Sequence, residues 1–341
     1  MKDELLILKG HEVLFLLKGQ EERIVRVVRQ AYKAHARGQS SLPHSNFLRF
    51  PNNSSNRIIA LPAYLGEDFD LAGIKWVSSF PGNPARGMDR ASAVVILSSA
   101  ETGRPRAIIE GSIISAKRTA ASAFLAAQAL RNGRQNSCVG MVGTGLINFE
   151  ILRFLLTARP APTNFLIYDI DSSHASQFKD KCLETFAHIE MQIAGSVSQV
   201  LEKSSLISFA TTAALPYVPN LSACALGTLI LHVSLRDLST AAILSADNIV
   251  DDIDHICRAQ TSIHLTEQLV GHREFIRGTL GEILLGAAPF RKNAETTLIF
   301  SPFGLGVLDL ALGKLVYDLA VQQGLGLNIE SFLPDSWVER T

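Results

Sequence analysis

The stretch Ser137-Cys138-Val139-Gly140-Met141-Val142-Gly143-Thr144-Gly145-Leu146-Ile147-Asn148-Phe149-Glu150 decides the fold. A short apolar run ends in Gly-Thr-Gly, and Ile147, Ile151, Leu152 and Leu155 continue at helical spacing. The spacing predicts strand, tight glycine turn, helix. Such a turn offers backbone N–H groups and the positive end of a helix to a pyrophosphate, which makes Gly143 and Gly145 candidate cofactor residues. The next apolar run, Asn164-Phe165-Leu166-Ile167-Tyr168, ends in Asp169, whose carboxylate can accept hydrogen bonds from ribose hydroxyls. Asp169 would repel a 2′-phosphate, and Ile170 and Asp171 bring no cation to hold one, so NAD(H) is preferred over NADP(H). Asn148 stands where the third glycine of G-x-G-x-x-G usually lies. It should face the cofactor or widen the helix–strand crossing. The competing reading is a glycine turn in an unrelated α/β protein.

Downstream of this turn, strands are predicted at Cys138–Val142, Phe165–Tyr168, Leu206–Ala210, Leu229–Val233 and Asn248–Val250, with helices in several gaps. This rhythm predicts an α/β fold: a Rossmann-type, doubly wound parallel sheet. Upstream the pattern differs. After a helix over 20–37, short β-like runs follow at Ile58–Leu61, Gly73–Val77, Ala93–Leu97 and Ala107–Glu110, with Glu101-Thr102-Gly103-Arg104-Pro105 as a hairpin turn. Strands without intervening helices predict an antiparallel sheet. Residues 112–130 are Ala-rich and helical, and Leu308, Leu312, Leu315, Val316 and Leu319 predict a last helix that returns to the first domain. The expected boundaries are 1–127 plus 306–341 for a second α/β domain, with the nucleotide domain, 128–305, inserted between them.

The chain has 341 residues, 47% of them apolar, and its 32 Lys and Arg balance 32 Asp and Glu. It therefore has the material for two cores and no net field for nucleic acid or an anionic membrane. Four cysteines without a C-x-x-C argue against a zinc site and fit a reducing cytoplasm. The start, Met1-Lys2-Asp3-Glu4-Leu5, does not read as a signal peptide, and no run reaches the length of a membrane span.

Several residues could carry chemistry. Lys75, inside an apolar strand, faces solvent or a pocket, and periodicity favours solvent. Arg118 opens a helix of small residues that would let an anion approach. Asp237 follows the fourth strand of the parallel sheet, where ligands of such sheets bind, and is either an acid/base group or a helix cap before Leu238-Ser239-Thr240. Thr211 either touches the cofactor or caps a helix. His232 reads as a satisfied core residue. Asp251-Asp252 with Asp254-His255 reads as a solvated strand end rather than a metal cluster.

Gly73-Ile74-Lys75-Trp76, Glu101–Pro105, Arg118-Thr119-Ala120-Ala121, Gly143-Thr144-Gly145, Asp237 and Gly281-Glu282-Ile283 with Gly286-Ala287-Ala288-Pro289 occur in this order. Together they resemble the ornithine cyclodeaminase/μ-crystallin family of NAD(P)-dependent enzymes over nearly the whole chain. Phe47-Leu48-Arg49, Arg57–Pro62, Trp76 through Asn83-Pro84 and Met88–Ser92 resemble, within that family, the dehydrogenases that make 2,3-diaminopropionate for siderophores and peptide antibiotics.

The resemblance implies a homodimeric, NAD-dependent enzyme with a Rossmann domain and a substrate-binding, dimerising domain. It implies Lys75 and Asp237 as the catalytic pair and Arg49, Lys75 and Arg118 as binders of substrate carboxylates. Arg118, Thr119, Leu146, Ile147 and Asp169 would contact the cofactor, Thr119 through its phosphates. Cyclodeaminases carry a glutamate where this chain has Ile59, so cyclisation of ornithine is not expected. The implied reaction is oxidative hydrolysis of N-(2-amino-2-carboxyethyl)-L-glutamate to 2-oxoglutarate and L-2,3-diaminopropionate, with Asp237 as general base and Lys75 held charged. The alternatives are another activity of the scaffold (imine reductase, amino-acid dehydrogenase, cyclodeaminase) or a non-enzymatic nucleotide binder.

Overall fold

The structure is a computed structural model that describes residues 4–131, 138–286, 293–334 and 338, with the side chain of Ser54 not described. Ser137 of the opening stretch and Ala287-Ala288-Pro289 lie outside the described residues. The chain divides into two compact units: Met1–Arg118 with Leu305–Thr341, and Thr119–Gly304. The Ala-rich helix Ser112–Leu130 crosses the division.

The first unit is built on a mixed sheet. Its strands run in the order Leu327–Glu330, Glu4–Leu8, Pro105–Glu110, Ala91–Ser99, Leu71–Ser79, Asn53–Leu65 and Ser40–Ser41, with Asn46–Phe50 also paired to Asn53–Leu65. Asn53–Leu65, Leu71–Ser79, Ala91–Ser99 and Pro105–Glu110 form the expected antiparallel set. The sequence reading missed Glu4–Leu8, which pairs parallel to Pro105–Glu110 and makes the sheet mixed.

Leu61, Ala63 and Leu65 alternate inward on one face. The C-terminal helix Gly306–Gln323 and the helix Glu21–Ala36 pack there and against each other, with Gly306 of the former close to Leu61 and Ala63 and Gly313 close to Val95 and Leu97. Gly73 sets the spacing of these layers. A Cβ on it would lie 2.2 Å from the Ile96 carbonyl oxygen and 2.9 Å from the Leu310 side chain, so only glycine lets the helix lie this close to the strand.

The second unit is a doubly wound sheet of eight parallel strands. Their order is Glu190–Ile193, Asn164–Tyr168, Val139–Val142, Leu206–Phe209, Leu229–His232, Leu298–Ser301, Asp247–Val250 and Ile276–Thr279. Val139–Val142 comes first in the chain and has later strands on both sides, so the winding reverses beside it. In open α/β sheets this switch point, at the carboxyl ends of the strands, is where ligands bind. The Gly143 turn occupies it.

Candidate active site

Lys75 corrects its sequence reading. Periodicity favours solvent, yet the residue is 2% exposed. It pairs directly across from Leu61, and therefore shares the face that the C-terminal helix covers. That helix brings Asp309, fully buried, with Oδ2 2.7 Å from Lys75 Nζ. Arg118 Nε donates to the other oxygen, Oδ1, at 3.0 Å, and Ser115 Oγ accepts from Lys75 Nζ at 3.2 Å. Two cations thus flank one buried carboxylate. Burial lowers the Lys75 pKa and the Arg118 charge adds to the fall, while Asp309 opposes it; the result is about 8. Lys75 stays mostly protonated at neutral pH but sits within reach of titration.

Asp237 is also fully buried and is no helix cap: Ser239 takes that place by accepting from the Ala242 N–H. Its Oδ1 accepts from Thr211 Oγ1 and, at 3.0 Å, from Tyr217 Oη, and its Oδ2 accepts from Ser234 Oγ. Thr211 therefore serves the carboxylate and caps no helix. His232 is not only a core residue. Its Nδ1 meets Ser301 Oγ at 3.2 Å, while Nε2 accepts the Asp237 N–H at 3.2 Å and lies 3.3 Å from Oδ2. Burial alone would raise the Asp237 pKa, but His232, Ser234 and Thr211 outweigh it and bring it to about 2. Burial and the adjacent Asp237 push the Tyr217 phenol upward.

At the switch point, Gly143 has φ +89°, and a Cβ there would lie 2.4 Å from the Ala210 carbonyl oxygen, so the position demands glycine. Gly145 caps the helix Leu146–Leu155 without any side-chain hydrogen bond, and a Cβ on it would meet nothing within 4 Å. There is therefore room beside the first residue of that helix. Asp169 Oδ2 accepts from Thr144 N and Thr144 Oγ1, both at 2.8 Å, which ties the second strand's end to the turn. A carboxylate oxygen has a further lone pair to offer. Leu146 and Ile170 expose apolar surface at the same strand ends, and Ile147 is half-buried.

Asn148 turns inward and does not face the open side of the turn. It is fully buried, donates to the Val142 and Gly143 carbonyls at 3.1 and 2.6 Å, and accepts from Ser208 Oγ at 2.7 Å. The amide binds the glycine turn to the neighbouring strand.

Arg49 is exposed and contacts neither Lys75 nor Asp309. It stands directly across from Arg57, four residues along the strand from Leu61. Ile59 lies between them, opposite Val77. Thr119 is half-buried in the Ala-rich helix. Asp251 is buried rather than solvated, accepting from the Phe303 and Gly304 N–H groups, and Asp252 caps the short helix Ile253–Ile256. No metal-binding group of His, Cys, Asp or Glu occurs among the described residues. No described helix is long and apolar enough to cross a membrane. A cavity of about 540 Å³ lined by Ser99, Glu101, Arg106 and Tyr317 contains none of the candidate residues.

A doubly wound sheet with a glycine turn at its switch point, and a second α/β unit with a buried Lys–Asp–Arg group, define a two-domain protein of dinucleotide-binding type. Residues 7–324 match the ornithine cyclodeaminase/mu-crystallin family, and the chain belongs to it. It is 27% identical to N-((2S)-2-amino-2-carboxyethyl)-L-glutamate dehydrogenase of Staphylococcus aureus, over 97% of this chain and 100% of that one. It is 28% identical to alanine dehydrogenase of Archaeoglobus fulgidus, over 96% and 99%. Among solved structures, Delta(1)-pyrroline-2-carboxylate reductase of Thermococcus litoralis in complex with NADH and L-proline superposes with a TM-score of 0.88 at 25% identity, covering 95% of this chain and 100% of that one.

Proposed function

We propose that this protein is an NAD(H)-dependent oxidoreductase acting at a carbon–nitrogen bond of an amino acid or its imine. The observation that carries the reading is the buried Lys75–Asp309–Arg118 group. Two cations held rigidly around one carboxylate suit a substrate carboxylate next to a reacting amine. The relatives' activities on alanine, on a pyrroline carboxylate and on an aminocarboxyethyl-glutamate share that substrate feature. The left-handed Gly143, the open helix start after Gly145 and the Asp169 carboxylate fit a dinucleotide without a 2′-phosphate. When bound, NAD+ supplies the redox chemistry by taking a hydride from the amine-bearing carbon. Lys75, protonated below about pH 8, holds the substrate carboxylate and disfavours protonation of the nearby amine. Asp237 accepts a proton transiently from the water that adds to the imine carbon, with Tyr217, Thr211 and Ser234 fixing its oxygens. A homodimer, as the resemblance implies, completes the reading.

Within this class, the substrate we favour is N-(2-amino-2-carboxyethyl)-L-glutamate. Together with NAD+ and water it would yield 2-oxoglutarate, L-2,3-diaminopropionate, NADH and a proton. Support comes from the blocks around Arg49, Arg57–Pro62 and Met88–Ser92, and from Ile59 where cyclodeaminases carry an acid. A second reading, an amino-acid dehydrogenase or imine reductase, is favoured by the alanine dehydrogenase's nearly equal identity. A panel followed by NADH absorbance tests both. The tricarboxylate with NAD+ is expected to give NADH, 2-oxoglutarate and diaminopropionate in equal amounts, and L-ornithine no proline. NADH from L-alanine alone would select the second reading, and turnover of no amine or imine would refute the class.

A further inference from the structure

Asp237 is fully buried, and an ionised carboxyl group offers about four lone-pair sites. Oδ1 accepts from Thr211 Oγ1 and from Tyr217 Oη at 3.0 Å, while Oδ2 accepts from Ser234 Oγ and faces His232 Nε2 at 3.3 Å. These sites face protein groups, so a proton from water reaches Asp237 through a group already bonded to it. The three hydroxyls differ in access. Thr211 and Ser234 are half-buried, and Thr211 Oγ1 also accepts the Ala213 N–H at 3.2 Å. Tyr217 is 42% exposed. A phenol, ordinarily of pKa about 10, is a stronger acid than an aliphatic alcohol, and after donating to Asp237 its oxygen keeps lone pairs for a water. Burial and then the Asp237 charge raise the Tyr217 pKa, which keeps the phenol protonated at rest. The backbone fixes this geometry: the Tyr217 and Val218 N–H groups both donate to the Asp237 carbonyl, at 3.0 and 2.9 Å. The strand Leu206–Phe209, which leads into Thr211, lies between Val139–Val142 and Leu229–His232. Ala210, next to Thr211, has its carbonyl oxygen against Gly143. The hydroxyls around Asp237 therefore stand beside the glycine turn, at the carboxyl ends of the strands.

We propose that Tyr217 is a catalytic residue, the relay through which Asp237 exchanges protons with the reacting water and the leaving amine. As water adds to the imine carbon, the C–O bond forms and the C=N π electrons move to nitrogen. One water proton passes to Tyr217 Oη while the phenol proton passes to Asp237 Oδ1. A phenol oxygen that gains a proton is strongly acidic, which a carboxylate with a pKa of about 2 requires of its donor. In the collapse the proton returns through Oη to nitrogen, and the C–N bond breaks as the hydroxyl oxygen forms the carbonyl. The hydroxyl proton leaves along the same path and is the proton that the overall reaction releases. This inference deepens the oxidoreductase reading and rests on it for the imine.

The test is stopped-flow NADH formation when the NAD+-loaded protein meets N-(2-amino-2-carboxyethyl)-L-glutamate or L-alanine. Hydride transfer precedes hydrolysis, so the two steps separate in time. Tyr217→Phe is expected to form the first NADH per site at the wild-type rate and then to turn over about a hundredfold more slowly, the low end of what a general acid–base group contributes. Tyr217→Gln keeps an N–H donor for Asp237 but cannot pass a proton on, and should lose steady turnover alike. Thr211→Val removes the other donor to Oδ1 and should cost less than about tenfold. Asp237→Asn added to Tyr217→Phe should cost less than about threefold more, because the two act in series. Thermal midpoints and NADH affinities of the variants should stay near those of the wild type. Steady turnover of Tyr217→Phe within about threefold of wild type overturns the relay. So does recovery in Tyr217→Gln, an equal loss in Thr211→Val, or a first turnover slowed as much as the later ones. A wild type that turns over an amine while Tyr217→Phe is unaffected sinks the relay and leaves the class. A wild type that forms NADH from no amine and oxidises NADH with no imine sinks the oxidoreductase reading and the relay with it.

Discussion

Asp309→Asn removes the one carboxylate that Lys75 and Arg118 share. At 2.7 Å and an effective dielectric of about 20, the Lys75–Asp309 attraction is on the order of 6 kcal/mol. At 1.36 kcal/mol per pKa unit that is roughly four units, an upper bound, since the asparagine carbonyl recovers part of it. With about half of that bound realised, Lys75 falls from about 8 to about 6. The lysine is then neutral at pH 7, and its grip on a substrate carboxylate is lost.

Stability follows with a definite sign. The unfolded lysine titrates near 10.5, above its folded pKa, so its penalty is full below the folded pKa and is relieved as pH rises toward the unfolded one. Relief begins near pH 8 in the wild type and near pH 6 in the variant. The variant should melt about 5 °C or more below the wild type at pH 6, given the cost of breaking a buried pair. The gap should narrow by pH 8. Meanwhile the basic limb of kcat/KM, near pH 8 in the wild type, should move to about pH 6. Thermal melts and NADH absorbance across this range read both effects. A constant melting gap with the basic limb still near pH 8 would refute the reasoning.

The remaining expectations concern the second unit. Fluorescence titration should give tighter binding of NADH than of NADPH, because Asp169 ends the second strand with no cation beside it; the reverse order would sink that argument. Asp237→Asn should lower turnover by about a hundredfold or more and spare NADH affinity. In wild type the depressed Asp237 pKa gives stability that is present above about pH 4 and lost as pH falls toward about 2, so this substitution should also raise the acid-unfolding midpoint. Asn148→Gly restores the third glycine but strands Ser208 Oγ and two carbonyls. A loss of about 1–3 kcal/mol and weaker NADH binding are expected, and an unchanged melt would make the amide's ties irrelevant.

What the sequence made legible was local. The Gly143 turn, the Asp169 strand end and the antiparallel run from Asn53 to Glu110 each declare themselves within a few residues. Glu190–Ile193 and Ile276–Thr279 escape because polar residues interrupt them, whereas the equally short Val139–Val142 and Leu229–His232 stand out as apolar runs. Lys75 was misread for a different reason. Alternation reports which residues share a face, but the cover over this face comes from a helix more than two hundred residues later. Asp309 was missed although a signal existed. It is the lone charge in Gly306-Val307-Leu308-Asp309-Leu310-Ala311-Leu312-Gly313, and a carboxylate within an apolar run must find a cation once buried.

The two candidate acid/base groups have been driven in directions that separate their roles. Lys75, in an apolar setting with a second cation nearby, comes down to about 8, where its proton can leave near working pH. Asp237, ringed by donors, comes down to about 2, where it is almost always ionised and weakly basic. General-base efficiency is greatest when the pKa lies near the operating pH, which Asp237 fails by several units. Its ionised form is instead a fixed acceptor. It orients Tyr217, Thr211 and Ser234, and it takes a proton only from a group made strongly acidic during reaction. The two sites therefore predict different pH signatures: changes at Lys75 should reshape the profile around pH 8, whereas changes at Asp237 should lower its height between about pH 5 and 9 without moving its limbs.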